Sequence, residues 1–264
     1  MAPLVTLHHF TNPRWLAKKC GWETGTVVAL FARYAMRVVH ELGDLCDSWV
    51  TFNEPNVFAY QGYSVGKFPP GKRDISSAFR VMGQVVRAHA RAYHAIKQLQ
   101  PNSQIGLAHR VEAFSQARPN SQLDRLAVLL RDRVFNRLIF SSLEDGRLNF
   151  PLGVGALVSE ARGTQDFIGL NYYYSPTIFD ITHPGQLFGR DVLDPWAESK
   201  QSVFGDVGNL DSRVSSHCCE SFRFIASRFT LLKMGFLTGV IKLRRVISFC
   251  ILPRCIGRSK LERT

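Results

Sequence analysis

Trp49-Val50-Thr51-Phe52-Asn53-Glu54-Pro55 is an apolar run that ends on an amide, a carboxylate and a proline. Its first four residues, aromatic and β-branched, read as a short buried strand. A carboxylate at the end of such a strand is placed to act as a general acid, a base or a nucleophile. The Asn beside it suits a substrate hydroxyl, and Pro55 stiffens the turn that aims the pair. Leu4-Val5-Thr6-Leu7, Ile105-Gly106-Leu107-Ala108 and Phe167-Ile168-Gly169-Leu170 have the same strand character. Helical periods lie between them. Val27, Val28, Phe31, Tyr34, Ala35, Val38, Val39 and Leu42 form one stripe, closed by Gly43. Phe79, Met82, Val85, Val86, Ala92, Tyr93 and Ile96 form a second, with Asp74 or Ser76 as its cap and Pro101 as its stop. Leu123, Leu126, Leu129, Leu130, Val134 and Leu138 form a third. Short apolar strands alternating with long helices predict an α/β fold of parallel βα units.

The residues that follow the strands carry the functional signal. They are His8 and His9, then Asn53 and Glu54, then His109, then Asn171, Tyr172 and Tyr173. In a (β/α)8 barrel the C-terminal strand ends form one rim, where the chemistry sits. Imidazoles, amides, phenols and a carboxylate, with no Lys or Arg directly at those ends, predict a polyol or sugar site.

Composition narrows the alternatives. A chain of 264 residues, 45% hydrophobic and 20% charged, is globular. Six cysteines are too few for a disulfide scaffold and suit a reducing, cytoplasmic location. The net charge is +12. From Gln201 onward eleven Lys and Arg stand against four Asp and Glu, so the first 200 residues are only mildly basic and no nucleic-acid partner is expected. Met1-Ala2-Pro3-Leu4-Val5 lacks a basic leader, so no signal peptide is expected, and no apolar run has the roughly 18–20 residues of a membrane span. Gly66–Lys72 fits a phosphate-loop pattern, but Arg73 replaces the Ser/Thr and two prolines remove amide donors, so it reads as a loop.

The string from Trp49 to Pro55 resembles the acid/base motif of glycoside hydrolase family 1, the β-glucosidase-like retaining enzymes. Val5-Thr6-Leu7-His8-His9-Phe10 with Asn12-Pro13 and Trp15-Leu16 resembles the family's third strand. Ala88-His89-Ala90, Tyr93-His94-Ala95 and Ile105–Ala108 fit the next unit, and Asp166-Phe167-Ile168-Gly169-Leu170-Asn171-Tyr172-Tyr173 resembles the sixth strand. The resemblance runs from about residue 2 to about 198. It implies a partial TIM (β/α)8 barrel over residues 1–200, covering strands three to six, and an unrelated basic tail over 201–264. It further implies retaining hydrolysis of terminal β-D-glucosides or related β-glycosides, with a sugar as ligand and no metal or organic cofactor.

By position, the resemblance makes Glu54 the acid/base, Asn53 a ligand of the sugar 2-hydroxyl and His9 a ligand of another glycone hydroxyl. Asn171 and Tyr173 would flank the nucleophile; His8 and Tyr172 would face away. Trp15 and Trp22 would pack in the core or a loop, and His89 and His94 would be core or surface residues. The family's nucleophile lies in a Thr-Glu-Asn-Gly-like string, and this sequence has no Glu-Asn-Gly; Glu198, Glu220 and Glu262 lack its context. The nucleophile is therefore expected to be absent and the chain weak or inactive; a non-catalytic carbohydrate-binding pseudoenzyme is the alternative. Four strands of eight would expose two sheet edges and favour self-association, with oligomeric state left open. Beyond Lys200 the tail is expected to be out of frame. A zinc site among Cys218, Cys219, Cys250 and Cys255 has no supporting spacing, and a basic interfacial helix around 229–251 is a second reading.

Overall fold

The computed structural model describes residues 3–19, 21–191 and 231–232. The expected strands pair in parallel, in the order β1 (Val5–His8), β2 (Ser48–Asn53), β3 (Gln104–Gln116) and β6 (Phe167–Phe179). A two-stranded hairpin, β4 (Arg147–Leu148) with β5 (Ala156–Leu157), lies apart. The outer edge of β6 takes an antiparallel strand, β7 (Gly189–Asp191), and a parallel pair of residues, β8 (Leu231–Leu232).

Helices α1 (Arg14–Lys18), α2 (Thr26–Leu42), α3 (Pro55–Ala59), α4 (Ile75–Leu99), α5 (Gln122–Arg131) and α6 (Leu138–Asp145) connect these strands. Asp74 caps α4, its carboxylate accepting from the amides of Ser76 at 2.9 Å and Ser77 at 3.2 Å. That capping satisfies two amides at the helix's first turn. One face of the sheet packs on α2, α4 and α6 through Trp49, Ile105, Leu107, Val111 and Ile168. The opposite face holds a small cluster of Val50, Ala108 and Phe167, with Leu4 against it. This is the interior face of the barrel wall. A Cβ on Gly106 would stand 2.2 Å from the Phe167 carbonyl oxygen, so glycine is what lets β3 and β6 approach.

The structure corrects several expectations. Strands β3 and β6 are thirteen residues long, with eleven consecutive register pairs, rather than ending at Ala108 and Leu170. His109 is therefore mid-strand. It is fully buried on the helix side, its ring against Phe140 and its Nε2 on the Phe135 carbonyl at 3.0 Å. The leucine stripe of α5 faces outward: Leu123, Leu126, Leu129 and Leu130 are exposed, and Asp124, Ala127, Val128 and Arg131 are buried instead. Polar tethers set that rotation. Asp124 accepts from Arg118 and from the Phe179 amide, and Arg131 donates to Thr177 and Asp191. Val134 and Leu138 fall beyond α5, across a π-helical turn over Asp132–Arg137. Leu231–Leu232 are strand, which breaks the interfacial-helix reading at those residues. Cys218, Cys219, Cys250, Cys255, Glu198, Glu220 and Glu262 lie outside the described residues.

Candidate active site

Strict alternation along β2 would return Phe52 to the face of Val50. Instead Phe52 stacks on Phe31 of α2, with ring centroids 4.5 Å apart, among the helix-side core. The β2–β3 register shifts between Val50 and Asn53, which accounts for the change. The shift leaves Asn53 and Glu54 at the rim while Thr51 and Phe52 anchor the strand beneath them. Thr51 is itself tied down, its hydroxyl 2.7 Å from His89 Nδ1, and His89 Nε2 lies 2.6 Å from the Thr164 carbonyl. The Nε2–H must donate to that carbonyl, so Nδ1 accepts from Thr51. Burial holds the His89 pKa down to about 4. The residue is a neutral core brace.

Glu54 is the pivot. Its amide donates to the Ala108 carbonyl at 2.7 Å, one rung past the end of β2, and its own carbonyl accepts from Phe58 at 2.9 Å to open α3. The backbone turns there in the left-handed region, φ 45° and ψ 57°. For a residue with a Cβ this costs about 1–2 kcal/mol, offset by the two backbone bonds. The side chain does not cap α3. Its Oε1 accepts from Asn171 Nδ2 at 2.7 Å. The same Asn171 amide lies 3.4 Å from Asn53 Oδ1, and Asn53 Nδ2 donates to His9 Nε2 at 3.1 Å. Since that ring nitrogen accepts, the His9 proton is on Nδ1. Residues from the ends of β1 and β2 and from β6 thus form one connected network: His9, Asn53, Asn171, Glu54. Asn53 and Glu54 are buried at 3% and 7% exposure, and His9 is exposed. Tyr173 enters by its backbone, paired in register with Glu112 two positions past Asn171. Tyr172 pairs with Val111, which belongs to the helix-side core.

His8 faces away from this network. Its ring packs edge-on to Trp22 and Phe58, its Nε2 is 3.2 Å from Asn12 Oδ1, and burial lowers its pKa to about 4. Trp22 is core and donates to the same Asn12 oxygen at 2.8 Å; Trp15 is half-exposed.

Residues 1–151 match the family profile described as glycosyl hydrolase family 1. The chain belongs to that family. Among curated relatives, the β-glucosidase A of Thermotoga maritima is 31% identical over 199 residues, 71% of this chain and 44% of that enzyme. Human lactase/phlorizin hydrolase is 38% identical over 234 residues, 79% of this chain and 12% of that protein. The solved family 1 β-glucosidase from Thermotoga maritima superposes with a TM-score of 0.66 at 29% identity, covering 74% of this chain and 46% of its own. That enzyme has also been solved with glucoimidazole and with deoxynojirimycin. The chain spans less than half the length of these relatives, and its described part is a section of a (β/α)8 barrel.

Two charged residues of this family 1 chain carry no signal in the motifs of the sequence. Because β3 continues past Ala108, Arg110 and Glu112 lie within it on the Ala108 face. Arg110 stands in register with Asn171 and Glu112 with Tyr173. Arg110 Nη2 is 2.6 Å from Glu112 Oε1. Burial raises the Glu112 pKa, and Arg110 works against that rise. Beyond the end of β2 the free edge of β3 is finished by side-chain amides. Asn56 donates to the Arg110 carbonyl at 2.8 Å. Asn136 accepts from the Glu112 amide at 3.0 Å and donates to its carbonyl at 2.8 Å. The alternation Ala108, Arg110, Glu112 was the available signal.

Proposed function

We propose that this chain carries the glycone-binding and acid/base part of a retaining β-glycosidase. Glu54 protonates the leaving oxygen, Asn53 holds the sugar 2-hydroxyl, His9 holds a further glycone hydroxyl, and Asn171 and Tyr173 flank the place that the nucleophile takes in the family. The observation that carries the reading is the Asn171–Glu54 hydrogen bond at 2.7 Å, which ties a β6 amide to a buried carboxylate at the end of β2. An acid at such a site needs one oxygen fixed so that the other meets the glycosidic oxygen. The complexes of the Thermotoga maritima enzyme with glucoimidazole and deoxynojirimycin support a glucose-shaped ligand.

Retaining hydrolysis needs a second carboxylate about 5–5.5 Å from the first. The sequence contains no Glu-Asn-Gly string, so we take turnover by this chain to be weak or absent and sugar binding to be its retained capacity. That same observation favours the second reading, a carbohydrate-binding pseudoenzyme. We also propose residues 1–200 as the barrel unit, 201–264 as a tail of separate origin, and a cytoplasmic location suited to the sparse cysteines, of which Cys46 is a buried free thiol. Among the described residues no helix is long and apolar enough to cross a membrane.

The test is release of nitrophenol from an aryl β-glucoside by the wild-type chain and by Glu54→Gln, beside titration with gluconolactone. Turnover abolished in Glu54→Gln supports the enzyme. Binding without turnover supports the pseudoenzyme. Neither binding nor turnover refutes both.

A further inference from the structure

Helix α5 turns charged residues inward and leucines outward, and nothing in the proposed sugar site explains that choice. Leu123, Leu126, Leu129 and Leu130 are 36–54% exposed. Each is three or four residues from Leu126, so they are neighbours on one helix face. Gln122, Arg125 and Arg133 are exposed beside them. Arg125 stands one turn before Leu129, and Arg133 one turn after it, at the start of the π-helical turn. The carboxylates of this region are already matched: Asp124 is buried on Arg118, Asp132 pairs with Arg137, and Asp191 pairs with Arg131. The outward face is therefore apolar and basic. A helix free to turn over would bury its leucines; the tethers of Asp124 and Arg131 prevent it. A contiguous apolar patch held in water marks an interaction surface.

We propose that the outward face of α5 rests on the surface of an anionic lipid bilayer, with its leucines at the boundary of headgroups and acyl chains and Arg125 and Arg133 among the lipid phosphates. Charge decides the occupant. A second copy seated on the same face would set Arg125 and Arg133 against their own counterparts. Residues 201–264 hold eleven Lys and Arg against four Asp and Glu, so they too would be a like-charged cover. Shape agrees with charge. A helical peptide is received in a groove, whereas this face is a ridge on a single helix, to which a bilayer can yield. Length sets the orientation. Ten residues of helix extend about 15 Å, half of the roughly 30 Å of a hydrocarbon core, so α5 lies in the plane of the surface and does not cross it.

The experiment is co-sedimentation of the full chain with vesicles of phosphatidylcholine alone and of phosphatidylcholine mixed with phosphatidylserine. Two double variants are compared with the wild-type chain. Leu126→Gln with Leu129→Gln keeps every charge, and Arg125→Gln with Arg133→Gln keeps every leucine. All four side chains are exposed, so both variants should keep the fold, which circular dichroism checks. The wild-type chain is expected to bind the phosphatidylserine vesicles about tenfold more tightly than the neutral ones, and each double variant to bind them about tenfold more weakly than the wild type. The leucine variant separates this face from the basic residues beyond Gln201, whose attraction to anionic lipid it leaves intact. Phosphatidylserine binding that is absent in the wild-type chain, or unchanged in the folded leucine variant, overturns the proposal. So does a dimer in light scattering that the leucine variant splits, since a second copy would then cover the face.

Discussion

Lowering the pH from 7 to 5 will destabilise the fold steeply, because three buried histidines must stay neutral. His8, His89 and His109 each have a pKa lowered from 6.5 to about 4, chiefly by burial. Their hydrogen bonds soften the effect of burial without reversing it. A depressed folded pKa means that the unfolded chain binds the proton first. The stability these groups contribute is therefore complete above about pH 6.5 and lost as pH falls toward 4. Each pH unit below 6.5 in which the unfolded ring is protonated and the folded ring is not costs about 1.4 kcal/mol. Each histidine therefore loses about 2 kcal/mol between pH 7 and pH 5. Three together remove roughly 5–6 kcal/mol, against a typical total of about 5–15 kcal/mol. Glu112, raised by burial, opposes them in this window, one group against three. Asp124, held low by Arg118, acts only at lower pH. The assay is urea unfolding followed by tryptophan fluorescence at pH 7 and pH 5. His109→Phe is the control: it removes one titrating ring, and the Phe135 carbonyl still accepts from Asn56 at 3.2 Å. Its pH dependence should be shallower by about a third. A loss below about 1 kcal/mol in the wild-type chain, or an unaltered slope in the variant, would show that the buried rings do not govern acid stability.

Three further outcomes follow from single contacts. Asn136→Leu strips the buried Glu112 amide and carbonyl of their partners and should cost about 2–4 kcal/mol in urea unfolding. Gly106→Ala puts a methyl group 2.2 Å from the Phe167 oxygen, so β3 and β6 cannot pair and the far-ultraviolet circular dichroism of a folded α/β protein should be lost. Asp74→Ala removes the cap of α4 and should lower stability by about 1 kcal/mol, with thermal melting as the readout.

The parallel sheet was legible because each strand carries its own buried apolar run, and the four runs appear in their sheet order. Trp49 to Phe52 marked the carboxylate-bearing strand, and His9, Asn53, Glu54 and Asn171 do meet in one network. Three features were hidden for identifiable reasons. The turn of Phe52 to the helix side depends on a register shift, which no alternation pattern records. The extension of β3 through Arg110 and Glu112 depends on Asn56 and Asn136, remote in sequence, finishing an edge that β2 does not reach. The rotation of α5 is set by Asp124 and Arg131. Its leucines suggested the opposite face, because periodicity weighs apolar area and not polar tethers.

The proposed function requires that His9, Asn53, Glu54 and Asn171 together hold a sugar. Calorimetric titration of glucoimidazole into the wild-type chain, Asn53→Ala and Asn171→Ala examines that requirement without relying on turnover. One-to-one binding, weakened about tenfold or more in each variant, is the predicted result. Binding of equal strength in all three proteins, or none in the wild-type chain, would contradict it.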